Sequence, residues 1–203
     1  MTNVLAPVDC SLCPRLVGSR RTVVNGFGPL PAEVMVVAQA PGRTEEQADP
    51  PRPLIGWSGE RLRSKLLPLA GLSPADVRFE NIVRCRPPKA TDGDLPPTAS
   101  EIAACRPFLQ AAIAACRPRF IVTLGDPALK WFIPDGTLKV MHGQPQSVTV
   151  AGWAGTVVPQ YHPAAAAPGR NPALVSVMYD DWRRLGRLLV AAPEPATVLY
   201  AQV

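Results

Sequence analysis

Four of the five cysteines are spaced in a way that suits a metal or iron–sulfur site. Cys10 and Cys13 form a Cys-x-x-Cys pair, Cys85 follows an apolar run, and Cys105 lies in a helical pattern. Four thiolates can close around a tetrahedral zinc ion or a [4Fe–4S] cluster, and spacing alone does not separate the two. Burial in the core explains Cys85 and Cys105 equally well. Cys116 is predicted to be a small buried side chain.

A histidine stands at a second position where chemistry is expected. His162 is one of two histidines in the chain, and it follows an apolar run directly before Pro163. A neutral imidazole on such a loop can donate a hydrogen bond to negative charge that develops during a reaction. From position alone, a loop histidine that hydrogen-bonds its own turn is the simpler explanation. We expect the other histidine, His142, at the surface.

Apolar runs and helical patterns alternate along the chain, and these elements must position the residues named above. Strands are predicted at 33–38, 77–83, 120–124, 148–150 and 156–158. Helices are predicted at 61–69, from the capping box Thr98–Glu101 to about Cys116, through Trp131, and from Asn171 to about Leu189. This order predicts an α/β fold, a three-layer α/β/α sandwich with a central, mainly parallel four-stranded sheet.

The chain shows no internal repeat and no linker. We therefore expect one domain over residues 1–203, with an N-terminal segment 1–30 tied to the body and a tail after residue 193. Ligands of open parallel sheets bind at the carboxyl ends of the strands. The loops after Ala38, Val83 and Gln160 leave such ends, so they are the expected walls of one site.

Composition and charge narrow the classes of function. The chain is 47% hydrophobic and 18% charged, which is typical of globular proteins. A net charge of +5 and a pI near 9.2 are compatible with a polyanionic partner such as a nucleic acid. No secretory signal and no long apolar run are visible, so we expect a cytoplasmic protein without a membrane partner. Cysteines of a reducing compartment are better explained as metal ligands or free thiols than as disulfides.

Five short motifs occur in a fixed order. They are Val37–Gly42, Arg52–Gly56 followed by Ser58–Gly59, Asn81–Pro88, Cys105–Leu109 and Tyr161–Ala165. Together they resemble the thermostable family 4 branch of the uracil-DNA glycosylase superfamily. The resemblance extends from Cys10 to about Leu185, nearly the whole chain.

The resemblance implies a DNA-repair glycosylase that flips uracil out of DNA and hydrolyses its N-glycosidic bond. It also implies a [4Fe–4S] cluster held by Cys10, Cys13, Cys85 and Cys105. The protein is then expected to act as a monomer on DNA that contains uracil or another deaminated base. The implied DNA-contacting residues are Arg43, Arg84, Arg86, Lys89 and Arg170.

The implied catalytic residues are His162, Gln39 and Asn81. His162 would donate a hydrogen bond to uracil O2, and the Asn81 amide would match the N3–H and O4 edge of the base. The turn from Gln39 to Gly42 would present backbone N–H groups and position a water molecule. The implied substrate-binding residues are Gln39, Ala40, Gly42, Leu54, Asn81 and His162.

The chain departs from the family pattern at three places. Gln39 stands where the family usually has Glu, and an amide cannot act as a general base. Leu54 replaces the usual stacking aromatic residue, and Ala164–Ala167 replace a leucine wedge. These departures leave two alternatives open: an iron–sulfur protein that binds damaged DNA with weak or no uracil turnover, or a glycosylase for another deaminated base. An electron carrier is disfavoured, because the cysteines are spread along the chain.

Overall fold

The computed structural model describes residues 4–91, 93–167, 169 and 171–191. Its central strands are β1 (Val34–Ala38), β2 (Val77–Asn81), β5 (Phe120–Leu124), β6 (Gln146–Val150) and β7 (Trp153–Gln160). They form one sheet in the order β2–β1–β5–β7–β6. The first four of these are parallel to their neighbours, whereas β6 pairs antiparallel with β7. A small separate hairpin consists of β3 (Lys89–Ala90) and β4 (Gly93–Asp94).

The predicted parallel sheet is confirmed, but the count of four strands is wrong because β6 adds an antiparallel edge. The two-residue turn between β6 and β7 explains why β6 joins the sheet beside β7. Ala151 and Gly152 both have positive φ angles, 50° and 79°. That backbone is the type I′ turn, whose twist matches that of a hairpin. The glycine in this turn was the sequence signal for the hairpin.

Seven α-helices accompany the sheet in the described residues. They are α1 (Pro14–Val17), α2 (Arg43–Gln47), α3 (Trp57–Arg61), α4 (Ala99–Cys116), α5 (Asp126–Phe132), α6 (Leu138–Met141) and α7 (Ala173–Ala191). A π turn (Leu62–Leu66) and a 3₁₀ turn (Leu67–Ala70) continue α3, and another 3₁₀ turn spans Pro163–Ala166. None of the described helices has the length and apolarity needed to cross a bilayer.

The predicted capping box begins α4, as the sequence indicated. The Thr98 backbone N–H donates to the Glu101 carboxylate at 2.7 Å, and the Glu101 N–H donates to the Thr98 hydroxyl. Helices α1 and α2 and the β3–β4 hairpin were not predicted, since segments of two to five residues carry no readable periodicity. The expected tail lies outside the described residues.

Alternation along the strands separates two cores, one on each face of the sheet. Met35, Val37 and Ile121 face α4 and α5. Val36 and Val122 face α3, its continuation and α7. A sheet covered by helices on both faces is the three-layer arrangement predicted from the sequence, and it leaves the carboxyl ends of β1, β2, β5 and β7 at one edge.

Candidate functional site

A cavity of about 250 Å³ opens at this carboxyl edge. Its described wall residues come from the β1–α2 turn, the β3–β4 hairpin, the β5–α5 turn and the loop after β7. They are Gln39, Ala40, Pro41, Gly42, Pro87, Asp94, Leu95, Leu124, Gly125, Pro127 and His162. The fold therefore brings four predicted site residues, Gln39, Ala40, Gly42 and His162, to the wall of one cavity.

His162 is a neutral hydrogen-bond donor in this structure. Its Nδ1 accepts the backbone N–H of Ala164 at 3.2 Å at the start of the 3₁₀ turn. A neutral imidazole that accepts at Nδ1 carries its proton on Nε2. Burial lowers the pKa of His162 to about 4, so the ring is neutral at physiological pH. The Nε2–H group is thus the one that remains for a ligand.

The turn after β1 uses part of its hydrogen-bonding capacity internally. The Gly42 N–H donates to the Glu45 carboxylate at 2.7 Å, so it does not point freely into the cavity as predicted. A Cβ at position 42 would lie 2.7 Å from the same carboxylate oxygen, which explains the glycine. Gln39 extends the pairing of β1 with the β2 segment, because its carbonyl accepts the Val83 N–H.

Asn81 ends β2 as a buried amide with an unmet acceptor. Its side chain is 3% exposed, and its Oδ1 has no hydrogen-bond partner among the described atoms. A buried polar atom without a partner costs about 1–3 kcal/mol, and an N–H group of a ligand would remove that cost. Asn81 is not part of the described cavity wall. Strands β2 and β7 lie three strand spacings, about 14 Å, apart in the sheet.

Leu54 also lies away from the cavity wall. It packs in the core between the sheet and α3 and has a positive φ of 56°, which is uncommon for a residue with a side chain. The Arg63 Nε donates to its carbonyl at 3.0 Å. A Cβ at Gly59 would lie 1.8 Å from that carbonyl oxygen, so only glycine fits there. These contacts hold the strained backbone of the Leu54 loop in place.

The four predicted cluster cysteines line a second, largely apolar cavity. It lies between the N-terminal segment, the loop after β2 and α4, and its wall includes Cys10, Cys13, Cys85 and Cys105. The Arg20 guanidinium donates to the Cys85 sulfur at 3.1 Å and to the Cys10 carbonyl at 2.7 Å. Donors aimed at sulfur stabilise negative charge on a thiolate.

Thiolates can hold either a single ion or a cluster, and the two differ in how closely the sulfur atoms must converge. In the described residues, no three His, Cys, Asp or Glu side chains converge closely enough to hold one metal ion. A tetrahedral zinc site requires such convergence, since every sulfur lies about 2.3 Å from the same ion. A cubane cluster binds each thiolate to a different iron atom, so its ligands lie farther apart. Four thiols in one largely apolar cavity are a donor set that suits a [4Fe–4S] cluster.

Arg84 is a structural residue, so its prediction as a DNA contact is wrong. Its side chain is 1% exposed and forms an ion pair with the fully buried Glu80 at 3.1 Å. The same guanidinium donates to the Val4 carbonyl and to the Asn25 side chain. These bonds tie the N-terminal segment to the end of β2. A phosphate group cannot reach Arg84 without unpacking this contact.

Arg86 is also committed to protein partners, which corrects its assignment as a phosphate contact. Its guanidinium pairs with Asp94 at 2.7 Å and with Glu46 at 3.0 Å. Because Asp94 belongs to β4 and Glu46 to α2, Arg86 holds the β3–β4 hairpin against α2. Asp94 also lines the cavity. Arg43 and Lys89 are exposed and remain candidates for DNA contact. Arg170 lies outside the described residues.

Two polar residues near the site were missed or misplaced by the sequence. His142 is half-buried instead of exposed: its Nδ1 lies 2.6 Å from the buried Asp181 carboxylate, and its ring packs on Tyr161. Gln160 is fully buried, and neither atom of its amide has a partner among the described atoms. The sequence signal that could have identified Gln160 was a glutamine at the end of an apolar strand. Cys116 is buried, as predicted.

Comparison with known proteins identifies relatives over most of the chain. The sequence profile of the Uracil DNA glycosylase superfamily matches residues 25–183. A type-4 uracil-DNA glycosylase of Saccharolobus solfataricus is 33% identical over 189 residues, which are 91% of this chain and 83% of that protein. The type-4 enzyme of Thermotoga maritima is 34% identical over 176 residues, 85% of each chain. A type-5 uracil-DNA glycosylase of Pyrobaculum aerophilum is 31% identical over 210 aligned positions, covering 87% of this chain and 88% of that protein.

Proposed function

The chain belongs to the Uracil DNA glycosylase superfamily, and from this membership we propose that it excises uracil from DNA and leaves an abasic site. One observation carries the chemistry: the neutral His162 and the Gln39–Gly42 turn line a single cavity at the carboxyl edge of the sheet. We further propose that the protein acts as a monomer. A DNA substrate also favours a cytoplasmic location.

Hydrolysis of the N-glycosidic bond requires stabilisation of a departing uracil anion. In the proposed reaction the Nε2–H of His162 donates to O2 of the base, where negative charge grows as the bond breaks. Because the imidazole is already neutral and held by Ala164, it needs little reorganisation during the reaction. The sugar meanwhile takes on oxocarbenium character, and a water molecule completes the hydrolysis.

Asn81 supplies the discrimination between bases. Its unpaired Oδ1 can accept the N3–H of uracil, a donor that cytosine lacks. Binding cytosine would leave this buried oxygen unsatisfied, and a site built around such a contact rejects the wrong ligand strongly. The target nucleotide must leave the base stack to reach Asn81. Arg43 and Lys89 are the exposed cations that would hold the DNA backbone.

The cysteine cavity supports a [4Fe–4S] cluster held by Cys10, Cys13, Cys85 and Cys105. When bound, the cluster supplies a cross-link between the N-terminal segment, the loop after β2 and α4. Burial raises the pKa of the Cys105 thiol to about 11 when no metal is present, so binding of iron must displace its proton. Arg20 then provides positive charge beside the Cys85 sulfur.

Release of free uracil tests the proposed function directly. Purified protein is incubated with single-stranded and duplex oligonucleotides that contain uracil, hypoxanthine or xanthine, and alkali-labile sites are counted. Release of uracil supports the proposal. Release of another base alone would move the activity to that lesion, and retention on uracil-containing DNA without product would favour the binding protein. The presence of Gln39 favours this second candidate, the binding protein, because an amide stands where the family usually has the carboxylate of Glu.

Replacing Gln39 with glutamate is expected to raise the single-turnover rate of uracil release. A carboxylate at this wall position can take a proton from the attacking water, and general base catalysis contributes about 10²–10⁴-fold. The gain will fall short of that range if the wild-type protein already positions the water. Gln39→Ala serves as the control. An unchanged rate in Gln39→Glu would show that position 39 does not touch the water.

The pH dependence of uracil release is expected to lack an inflection near 6.5. Burial lowers the pKa of His162 to about 4, so the imidazole stays neutral from pH 8 down to about pH 5. Because the folded pKa lies below the unfolded value of about 6.5, the unfolded chain binds this proton first. His162 therefore contributes full stability above pH 6.5, and the contribution declines as pH falls toward 4. Rate profiles and thermal unfolding of wild type and His162→Gln measure both effects.

A further inference from the structure

Trp57 differs from the other tryptophans by its exposure to solvent. Its side chain is 48% exposed, whereas Trp131, Trp153 and Trp182 are 9% exposed or less. Exposing an indole to water forgoes the stabilisation that burial of a large aromatic ring provides. The position of Trp57 beside the site suggests what the ring is for.

The first turn of α3 lies directly behind the wall of the cavity. Gly56 directly precedes Trp57 and packs against the turn after β1. A Cβ built on Gly56 would lie 3.5 Å from the Thr44 side chain and 3.6 Å from the Glu45 carboxylate. That carboxylate binds the N–H of Gly42, which lines the cavity. Helix α3 also contacts the 3₁₀ turn Pro163–Ala166, which follows His162. The helix that begins at Trp57 therefore adjoins both the β1–α2 turn and the turn after His162, two loops next to residues of the cavity wall.

The surroundings of Trp57 are positively charged. The Arg61 guanidinium lies 5.8 Å from the centre of the indole ring, within the range of a cation–π contact. The segment 52–65 carries Arg52, Arg61, Arg63 and Lys65 against the single acidic residue Glu60, and of these Arg63 is turned to the Leu54 carbonyl and the Phe79 ring. An aromatic face framed by cations is the arrangement that binds unpaired bases of a nucleic-acid strand.

We propose that Trp57, supported by Arg61, is a stacking platform for the base adjacent to the flipped nucleotide in the uracil-containing strand. This inference rests on the proposed function. A flipped-out nucleotide leaves its neighbours without a stacking partner. The turn Pro163–Ala166 offers only small side chains to fill the gap, whereas Trp57 presents a broad aromatic face beside that turn. Every base has a π face, so the contact does not depend on sequence.

Binding to DNA that carries a tetrahydrofuran abasic-site analogue tests the platform, because this probe requires no catalysis. Trp57→Ala is expected to weaken binding by about 5- to 150-fold, the range for loss of one base–aromatic stack. Trp57→Phe should lose less than about threefold, since a phenyl ring also stacks. Val190→Ala is the matched control: Val190 is exposed, and it lies near the far end of α7 from the site. It should bind like the wild type.

Thermal unfolding of each variant shows that the fold is intact, as expected for an exposed side chain. Equal affinity of Trp57→Ala and wild type, or equal losses in Trp57→Ala and Trp57→Phe, would overturn the platform. The uracil-release assay separates the two proposals. Release by the wild type with no effect of Trp57→Ala on binding would remove the platform and keep the enzyme. Absence of uracil release together with weaker binding by Trp57→Ala would keep the platform and remove the enzyme.

Discussion

Replacing His162 with alanine is expected to lower the single-turnover rate of uracil release by about 10²–10³-fold, the loss typical of one donor to a developing anion. The imidazole is neutral, its Nδ1 is occupied by the Ala164 N–H, and its Nε2–H lies at the cavity wall. An alanine side chain cannot donate a hydrogen bond to uracil O2. A water molecule that fills the space left by the ring is not held at a fixed position. The reaction would then begin from the same bound state with a poorly stabilised leaving group.

His142→Ala is the matched control for this variant. Both histidines are half-buried, but His142 bonds Asp181 of α7 and packs on Tyr161 instead of lining the cavity. Its loss should lower the thermal unfolding temperature and leave the rate of uracil release within about threefold of wild type, since it contributes no donor to the anion. A His162→Ala enzyme that retains wild-type rates would remove the assigned role. Equal rate losses in both variants would place the effect in the fold.

The second large effect is expected from Cys85→Ala. Loss of one of the four proposed ligands should abolish stable binding of the proposed cluster and detach the N-terminal segment that carries Cys10 and Cys13. Loss of a bound metal group costs on the order of 4 kcal/mol or more. For a chain of this length, each kcal/mol corresponds to about 2–4 °C, so the unfolding temperature should fall by roughly 10 °C. Iron content per chain and the visible absorption of the cluster should fall with it.

Cys116→Ala isolates the contribution of the cluster from that of packing. Cys116 is fully buried on the same side of the sheet, but it does not line the cysteine cavity. Removing its sulfur should cost about 1 kcal/mol of packing and leave the iron content unchanged. If Cys85→Ala unfolds at the same temperature as Cys116→Ala and keeps its iron, the assigned ligand set is wrong.

Two of the proposed site residues could be placed in the fold before the structure, whereas their proposed roles came from the family resemblance. Asn81 and His162 each end an apolar run, and parallel strands place their carboxyl ends at one edge of the sheet. The proposed cysteine set came instead from the family resemblance, because spacing alone left a zinc ion and burial in the core open. Residue type and strand order therefore predict where the site lies, and the resemblance supplies the proposed roles.

The partners of the arginines could not be predicted in the same way. Arg84 and Arg86 flank Cys85 in sequence and look alike as basic residues of a loop. The fold buries Arg84 against Glu80 and sets Arg86 between Glu46 and Asp94. An ion pair depends on which distant carboxylate packs nearby, and no local pattern encodes that choice.

The sequence by itself predicted the three-layer architecture, because alternating apolar runs and helical patterns can be recognised over short stretches of chain. Only the tertiary structure decided that Leu54 lies in the core, that the Gly42 N–H is taken by Glu45, and that Trp57 is exposed on a helix that contacts the turn after His162. These outcomes depend on contacts between segments brought together by the sheet. Burial and hydrogen bonding are properties of the packed surroundings, so a residue acquires its role only after folding.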